Sequence, residues 1–102
     1  MPSKNSPFLS VILPAYNEGE SIYANILRVS ETLREIDFEL VVVDDGSADQ
    51  TYLEAKRAED EGYPVRAIAQ EENRGKGATL FHGFEFASGE RIAFLDADLE
   101  IA

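Results

Sequence analysis

Residues 9–36, LSVILPAYNEGESIYANILRVSETLREI, carry two hydrophobic periodicities in succession, and their order decides the fold. Leu9-Ser10-Val11-Ile12-Leu13 is a short, nearly continuous apolar run stopped by Pro14, as a strand covered on both faces reads. Ile22, Ile26, Val29, Leu33 and Ile36 then recur at steps of 4, 3, 4 and 3, which predicts an amphipathic helix over about residues 20–35. A buried strand running straight into a helix is the first half of a βαβ unit. The run Phe8–Ala15 follows Lys4 but does not fit a secretion signal. Pro14 interrupts it, and Tyr16-Asn17-Glu18 stands where small cleavage-site residues would be needed. It is also far shorter than the ~20 apolar residues that cross a membrane.

The alternation continues outward. Phe38–Val43 is a second apolar run, closed by Asp44-Asp45-Gly46-Ser47, with Ser47 placed to cap a second helix over 48–61 and Gly62 placed to stop it. Val65–Ala69 reads as a weaker third strand. A third helix is expected over 76–87, burying Leu80, Phe81 and Phe84 and making Phe81, Phe84 and Phe86 core residues. Arg91–Leu95 is the last strand and leads into Asp96-Ala97-Asp98. Four strands joined by such helices predict an α/β fold, a Rossmann-like parallel sheet of about four strands with right-handed crossovers. Residues 1–7 read as a loose tail. There is no internal repeat.

Composition narrows the function classes. The chain has 102 residues, enough for one small domain with a buried core. Its 44% hydrophobic and 28% charged content is that of a globular protein. Nine Lys and Arg against 20 Asp and Glu leave a net charge of −11, which argues against a nucleic-acid partner and against docking on an anionic membrane. The absence of cysteine excludes disulfides, Cys-ligated zinc, iron–sulfur clusters and thiol catalysis. These readings together predict a soluble, cytoplasmic chain.

In parallel α/β sheets, ligands sit at the carboxyl ends of the strands, and each distinctive polar cluster of this sequence falls there. Asp96-Ala97-Asp98 leaves a buried strand with two carboxylates one residue apart, the hard oxygen donors that Mg²⁺ or Mn²⁺ prefers. Whether both touch an ion or Asp98 alone does is open at this level, and a solvated strand end is the plainer reading of an isolated pair. Asp44-Asp45-Gly46-Ser47 is at least a turn and a cap. Two adjacent carboxylates exceed what a turn needs, and they could accept from a base N–H or from ribose hydroxyls. Asn73-Arg74-Gly75-Lys76-Gly77 puts glycines and two cations at a helix N-terminus, a setting that favours phosphate. It matches neither the Walker A loop nor the dinucleotide fingerprint. Pro14-Ala15-Tyr16-Asn17-Glu18 could offer Tyr16 to a flat base and Glu18 to a sugar hydroxyl. His82 reads as a helix-surface or packing residue.

These clusters, with Asp49 and Thr51 after Ser47, Ala87-Ser88-Gly89-Glu90, and Leu99 after the acidic pair, stand in the order that resembles the inverting glycosyltransferases of family 2. The resemblance spans about residues 8–100. It is most similar to the polyprenyl-phosphate sugar transferases, such as dolichol-phosphate mannose and glucose synthases. It implies a GT-A fold and a nucleotide-diphosphate sugar as donor. Pro14, Ala15, Tyr16 and Glu18 would line the nucleotide site, Asp45 with Asp44 beside it would hold the base or ribose, and Lys76 would lie near the phosphates. Asp96 and Asp98 would bind Mg²⁺ or Mn²⁺ bridging the diphosphate, with Asp96 also meeting the substrate.

The resemblance implies a larger catalytic domain than 102 residues. Residues 8–102 are therefore expected to be the nucleotide-sugar-binding part, truncated after the D-x-D pair. The general base and the acceptor site, which a lipid phosphate such as polyprenyl phosphate would use, are expected beyond Ala102. The alternative is an inactive nucleotide-sugar-binding fragment or remnant. A phosphoacceptor receiver domain is more distant, because its acidic clusters follow the first and third strands. An exposed edge of such a sheet could also pair with a second copy to form a homo-oligomer.

Overall fold

A computed structural model describes residues 6–96 of the chain. Its elements are β1 (Leu9–Ala15), α1 (Ile22–Thr32), β2 (Phe38–Asp45), α2 (Thr51–Asp60), β3 (Val65–Gln70), α3 (Lys76–Phe86) and β4 (Arg91–Phe94). The strands form one sheet in the order β3-β2-β1-β4, and each pairing is parallel. This is the α/β, Rossmann-like arrangement that the alternating periodicities predict. Among the described residues no helix is long and apolar enough to cross a membrane. Residues 1–5 of the expected tail lie outside the described residues, while the Pro7 carbonyl accepts from Glu90 N–H at 3.2 Å.

Both sheet faces are covered, and strand alternation divides the core between them. Val11, Leu13, Leu40 and Val42 face α1 and α2, where Ile22, Ile26, Ala55 and Ala58 meet them. Ile12, Val41 and Val43 face the other way, towards Leu80 of α3 and towards Ile92 and Phe94. Full burial of side chains such as Leu40 and Val41 contributes roughly 1.5–3 kcal/mol each. α3 approaches the sheet at Gly83, where an added Cβ would lie 2.5 Å from Ile12 Cγ2 and 3.0 Å from Val43 Cγ2.

The structure differs from the periodicity at two element boundaries and in one helix face, each for a local reason. α1 ends at Thr32, and Ile36 is exposed. The chain must turn early so that Asp37 O can accept from both Phe8 N–H and Leu9 N–H, which sets the β1–β2 register Leu9↔Phe38. α2 starts at Thr51, without Ser47 as its cap, because side chains from two loops take the N–H groups of residues 47, 48 and 51. The third difference corrects the expected core. Phe81 and Phe84 are 56% and 52% exposed and Phe86 is 39% exposed. The close approach at Gly83 turns the stripe of Thr79, Leu80 and Gly83 to the sheet, and Phe81 and Phe84 fall outside it.

Candidate functional site

A cleft of about 530 Å³ opens at the carboxyl ends of the strands. The end of β1 contributes Pro14, Ala15, Tyr16 and Glu18, and β2 contributes Asp45. Asn73, Gly75 and Lys76 come from the β3–α3 loop and the first residue of α3, and Asp96 follows β4. Most of the residues singled out in the sequence therefore meet in one place. Asp44 is not among the cleft-lining residues: its Oδ1 accepts Ser47 N–H at 3.1 Å and closes the β2–α2 turn. Ala97, Asp98 and Leu99 lie outside the described residues. β2 runs through both aspartates, with Asp44 opposite Ala15 and Ala69 and Asp45 opposite Gln70, so the strand ladder holds their backbone.

The Tyr16–Glu18 turn is braced by side chains about thirty residues downstream. Asn17, at φ 52°, donates its N–H to Ser47 Oγ at 2.8 Å, and its Oδ1 accepts Ala48 N–H at 2.9 Å. Glu18 N–H donates to Thr51 Oγ1 at 2.8 Å, and Gly19 N–H to Asp49 Oδ2 at 3.0 Å. Asp49 Oδ1 also accepts Thr51 N–H at 2.9 Å and bonds the Thr51 hydroxyl. Ser47, Asp49 and Thr51 thus hold one loop against another, and the exposed Tyr16 ring stands on a fixed turn. Burial raises the Glu18 carboxyl above its ordinary value; a backbone bond from Tyr16 opposes this, and the Asp49 charge adds to it. The Thr51 hydroxyl, followed by the Gly19 N–H, lowers the Asp49 carboxyl against its partial desolvation.

Asp45, 5% exposed, organises the other wall. Its Oδ1 accepts Arg74 N–H at 2.7 Å and Gln70 Nε2–H at 2.8 Å, and its Oδ2 accepts Gly75 N–H at 3.2 Å. Hydrogen bonds to a carboxylate are roughly twice as strong as neutral ones, so this loop is tied firmly to β2. Gly46 permits the arrangement: at φ 68°, a Cβ there would lie 2.4 Å from Asn73 N. Gly75, at φ 90°, precedes α3 and turns the helix N-terminus toward the cleft. Lys76 Nζ and Asp96 Oδ1 form an ion pair across its mouth. Sequence reasoning missed Gln70 and Thr79, whose side chains bond each other behind Asp45 at 3.1 Å. Neutral residues scattered through a strand and a helix carry no local signal of such a contact.

The Ala87–Glu90 turn lies at the other end of the sheet, where the fully buried Ser10 Oγ donates to Glu39 Oε2 at 2.6 Å and accepts Gly89 N–H at 2.8 Å. Ser88 N–H donates to the same Glu39 oxygen at 2.7 Å. This clamp fixes where β4 begins.

The pattern of the family described as Glycosyl transferase family 2 matches residues 10–102. The chain belongs to that family. Its Rossmann-like α/β sheet is that of the GT-A fold. Over 92 residues this family 2 chain is 37% identical to the dolichol-phosphate mannosyltransferase of Pyrococcus furiosus, covering 90% of itself and 26% of that protein. Among solved structures it is similar to the mannosyltransferase PcManGT of Pyrobaculum calidifontis in complex with GDP-Man and Mn²⁺. The TM-score is 0.75 and the identity 29%, over 96% of this chain and 30% of that one. S. aureus TarS in complex with UDP-GlcNAc aligns with a TM-score of 0.73 and 32% identity, over 88% of this chain and 26% of that one. The family 2 chain thus spans between about a quarter and a third of the length of the curated relatives it matches.

Proposed function

We propose that residues 8–102 form the donor-binding part of an enzyme that transfers a sugar from a nucleoside-diphosphate sugar to an acceptor, with inversion at the anomeric carbon. The observation that carries this reading is the meeting of Tyr16, Glu18, Asp45, Lys76 and Asp96 in one cleft at the carboxyl ends of the strands. Tyr16 presents an exposed aromatic face for a base. Pro14 and Ala15 line the cleft beside it, and Glu18, from the same turn, accepts from a sugar hydroxyl. Asp45 accepts from the base or ribose, while Asp44 holds the turn that follows it. Lys76, at the start of α3, faces the phosphates with the helix N-terminus behind it.

The donor set fits a divalent ion shared with a diphosphate. Asp96 and Asp98 are hard carboxylate ligands, and Mg²⁺ or Mn²⁺ in such sites takes one or two carboxylates and completes its shell with water and phosphate oxygens. When bound, the ion neutralises charge on the departing diphosphate. Asp96 would orient the diphosphate end and Lys76 would exchange its carboxylate partner for a phosphate oxygen. No carboxylate of this chain is assigned as general base. Polyprenyl phosphate is the proposed acceptor class, as in the name of the Pyrococcus relative, and its second ionisation near pH 6 leaves it largely ionised without a strong base.

A second reading rests on the same cleft, whose lining residues are assigned to the donor alone: the 102 residues bind a nucleotide sugar without transferring it. Thermal unfolding with GDP or UDP, each with and without Mn²⁺, tests the first part. A metal-dependent rise in Tm that Asp98→Ala removes is expected; a rise that survives in Asp98→Ala takes Asp98 out of the metal site. Sugar turnover by the purified 102-residue chain would refute the second reading.

A further inference from the structure

We propose that His82 is a positioning residue for the nucleotide site, acting through Gln70 on Asp45. The proposal rests on the assignment of Asp45 to the nucleotide and adds the residue that orients it.

The bond directions form one consistent chain. Gln70 Nε2 lies 2.8 Å from Asp45 Oδ1 and 3.1 Å from Thr79 Oγ1, and Gln70 Oε1 lies 3.1 Å from His82 Nδ1. A carboxylate only accepts, so the Gln70 amide must turn its NH₂ toward Asp45 and its oxygen toward His82. His82 must then carry its proton on Nδ1 and donate. Thr79 fits the same order: its hydroxyl donates to Gly75 O at 2.8 Å and so accepts from Gln70. Both Gln70 N–H groups and its oxygen are used, at a position only 8% exposed. Without the His82 donor the amide is held from its nitrogen end alone, by Asp45 and Thr79, and its buried oxygen loses the partner that fixes the other end.

The chain ends at the loop that frames the cleft. Gly75 is held on both sides of its Cα, its N–H by Asp45 and its carbonyl by Thr79. Asp45 spends its Oδ1 on Gln70 and Arg74 and one acceptor position of Oδ2 on Gly75. The acceptor position left on Oδ2 is the one available to a base or ribose donor. His82 itself does not line the cleft. It borders a separate hollow beside Phe81 and Glu85, and the Phe86 ring packs on it at 5.4 Å. The direct hydrogen-bonded route from His82 to the cleft therefore runs through Gln70, and the separate pyrophosphate measurement distinguishes it from a shift of α3, which also carries Lys76.

The test uses the full chain and measures affinity for GDP and UDP, each with Mn²⁺, and separately for pyrophosphate with Mn²⁺. His82→Ala is expected to weaken nucleotide binding by about tenfold, the scale of one hydrogen bond in a charged network. It should leave pyrophosphate affinity unchanged, because the phosphate end is held by Lys76 and the ion. His82→Asn, whose amide nitrogen can take the place of Nδ1, is expected to restore nucleotide binding. A purely structural role would lower Tm and weaken both ligands alike, and that result overturns the proposal. So does His82→Ala binding nucleotide as the parent chain does. If His82→Ala does not fold, His82→Phe, which keeps the ring packing and removes the donor, decides the same comparison. Asp45→Asn separates the two layers. If it leaves nucleotide affinity intact, the assignment of Asp45 fails and this proposal with it. If it weakens binding while His82→Ala does not, only the role of His82 fails.

Discussion

At the scale of single residues, two carboxyls a loop apart are held in opposite directions. Asp49 lies below its ordinary 3.8 because the Thr51 hydroxyl and the Gly19 N–H favour the ionised form. A carboxyl with a depressed folded pKa contributes stability above its unfolded value and loses it as pH falls through the folded one. Glu18 lies above its ordinary 4.5 through burial and the charge of Asp49, so its ionisation opposes folding once pH rises through that window. Asp49→Ala is therefore expected to lower Tm at pH 7, with the gap to the parent chain closing as pH falls below 3.8. Its Glu18 carboxyl should also titrate lower, readable by NMR. Two parallel Tm–pH curves would show that Asp49 braces nothing through its charge. The acidic pairs, the Gly-Lys loop and Tyr16 were legible in the sequence because each is a local string of residue types with its own chemistry. Ser47 read as a helix cap and Asp49 and Thr51 only as members of the family's string, because their partners Asn17, Glu18 and Gly19 become neighbours only when the sheet brings two strand ends together.

At the scale of elements, strand and helix identity was readable, whereas the rotation of α3 was not. Periods of 2 and 3.6 residues are written locally, so β1, α1 and β2 could be read from residues 9–43. Which face of α3 turns inward depends on the distance to a sheet built by other segments. The deciding residue is Gly83, where a backbone meets Ile12 and Val43 and large side chains are excluded. The three phenylalanines suggested the opposite rotation because apolarity is ordinarily buried. The contact is testable by adding volume. Gly83→Val would place Cβ 2.5 Å from Ile12 Cγ2 and push α3 outward, an overpacking cost of about 1–3 kcal/mol. In a domain of this size each kcal/mol lowers Tm by roughly 4–8 °C. Because α3 carries Lys76 at its first turn, the same variant should weaken nucleotide binding. A Gly83→Val chain with an unchanged Tm would mean that α3 does not seat on the sheet at this residue.

At the scale of the whole molecule, the charge of −11 is spread over a body with a radius of gyration of 12.5 Å. Two like charges that far apart in water repel by about 0.3 kcal/mol, and eleven uncompensated charges make roughly fifty such pairs. Against this stand ion pairs on helix surfaces, such as Lys56 with Glu59 and Asp60 and Arg57 with Glu54 and Glu61. Pairs of that kind contribute only about 0.3–0.5 kcal/mol each. Salt screens both, and since repulsion is the larger sum, the folded state should gain. Tm is therefore expected to rise by several degrees between about 10 mM and about 0.5 M NaCl, as the Debye length shrinks from roughly 30 Å toward a few ångströms. KCl should act alike, whereas Mn²⁺ should act at far lower concentration once GDP or UDP is present, because it binds a site and does not merely screen. A Tm that falls with NaCl would mean that the helical ion pairs, and not the excess of carboxylates, dominate the electrostatics of the fold.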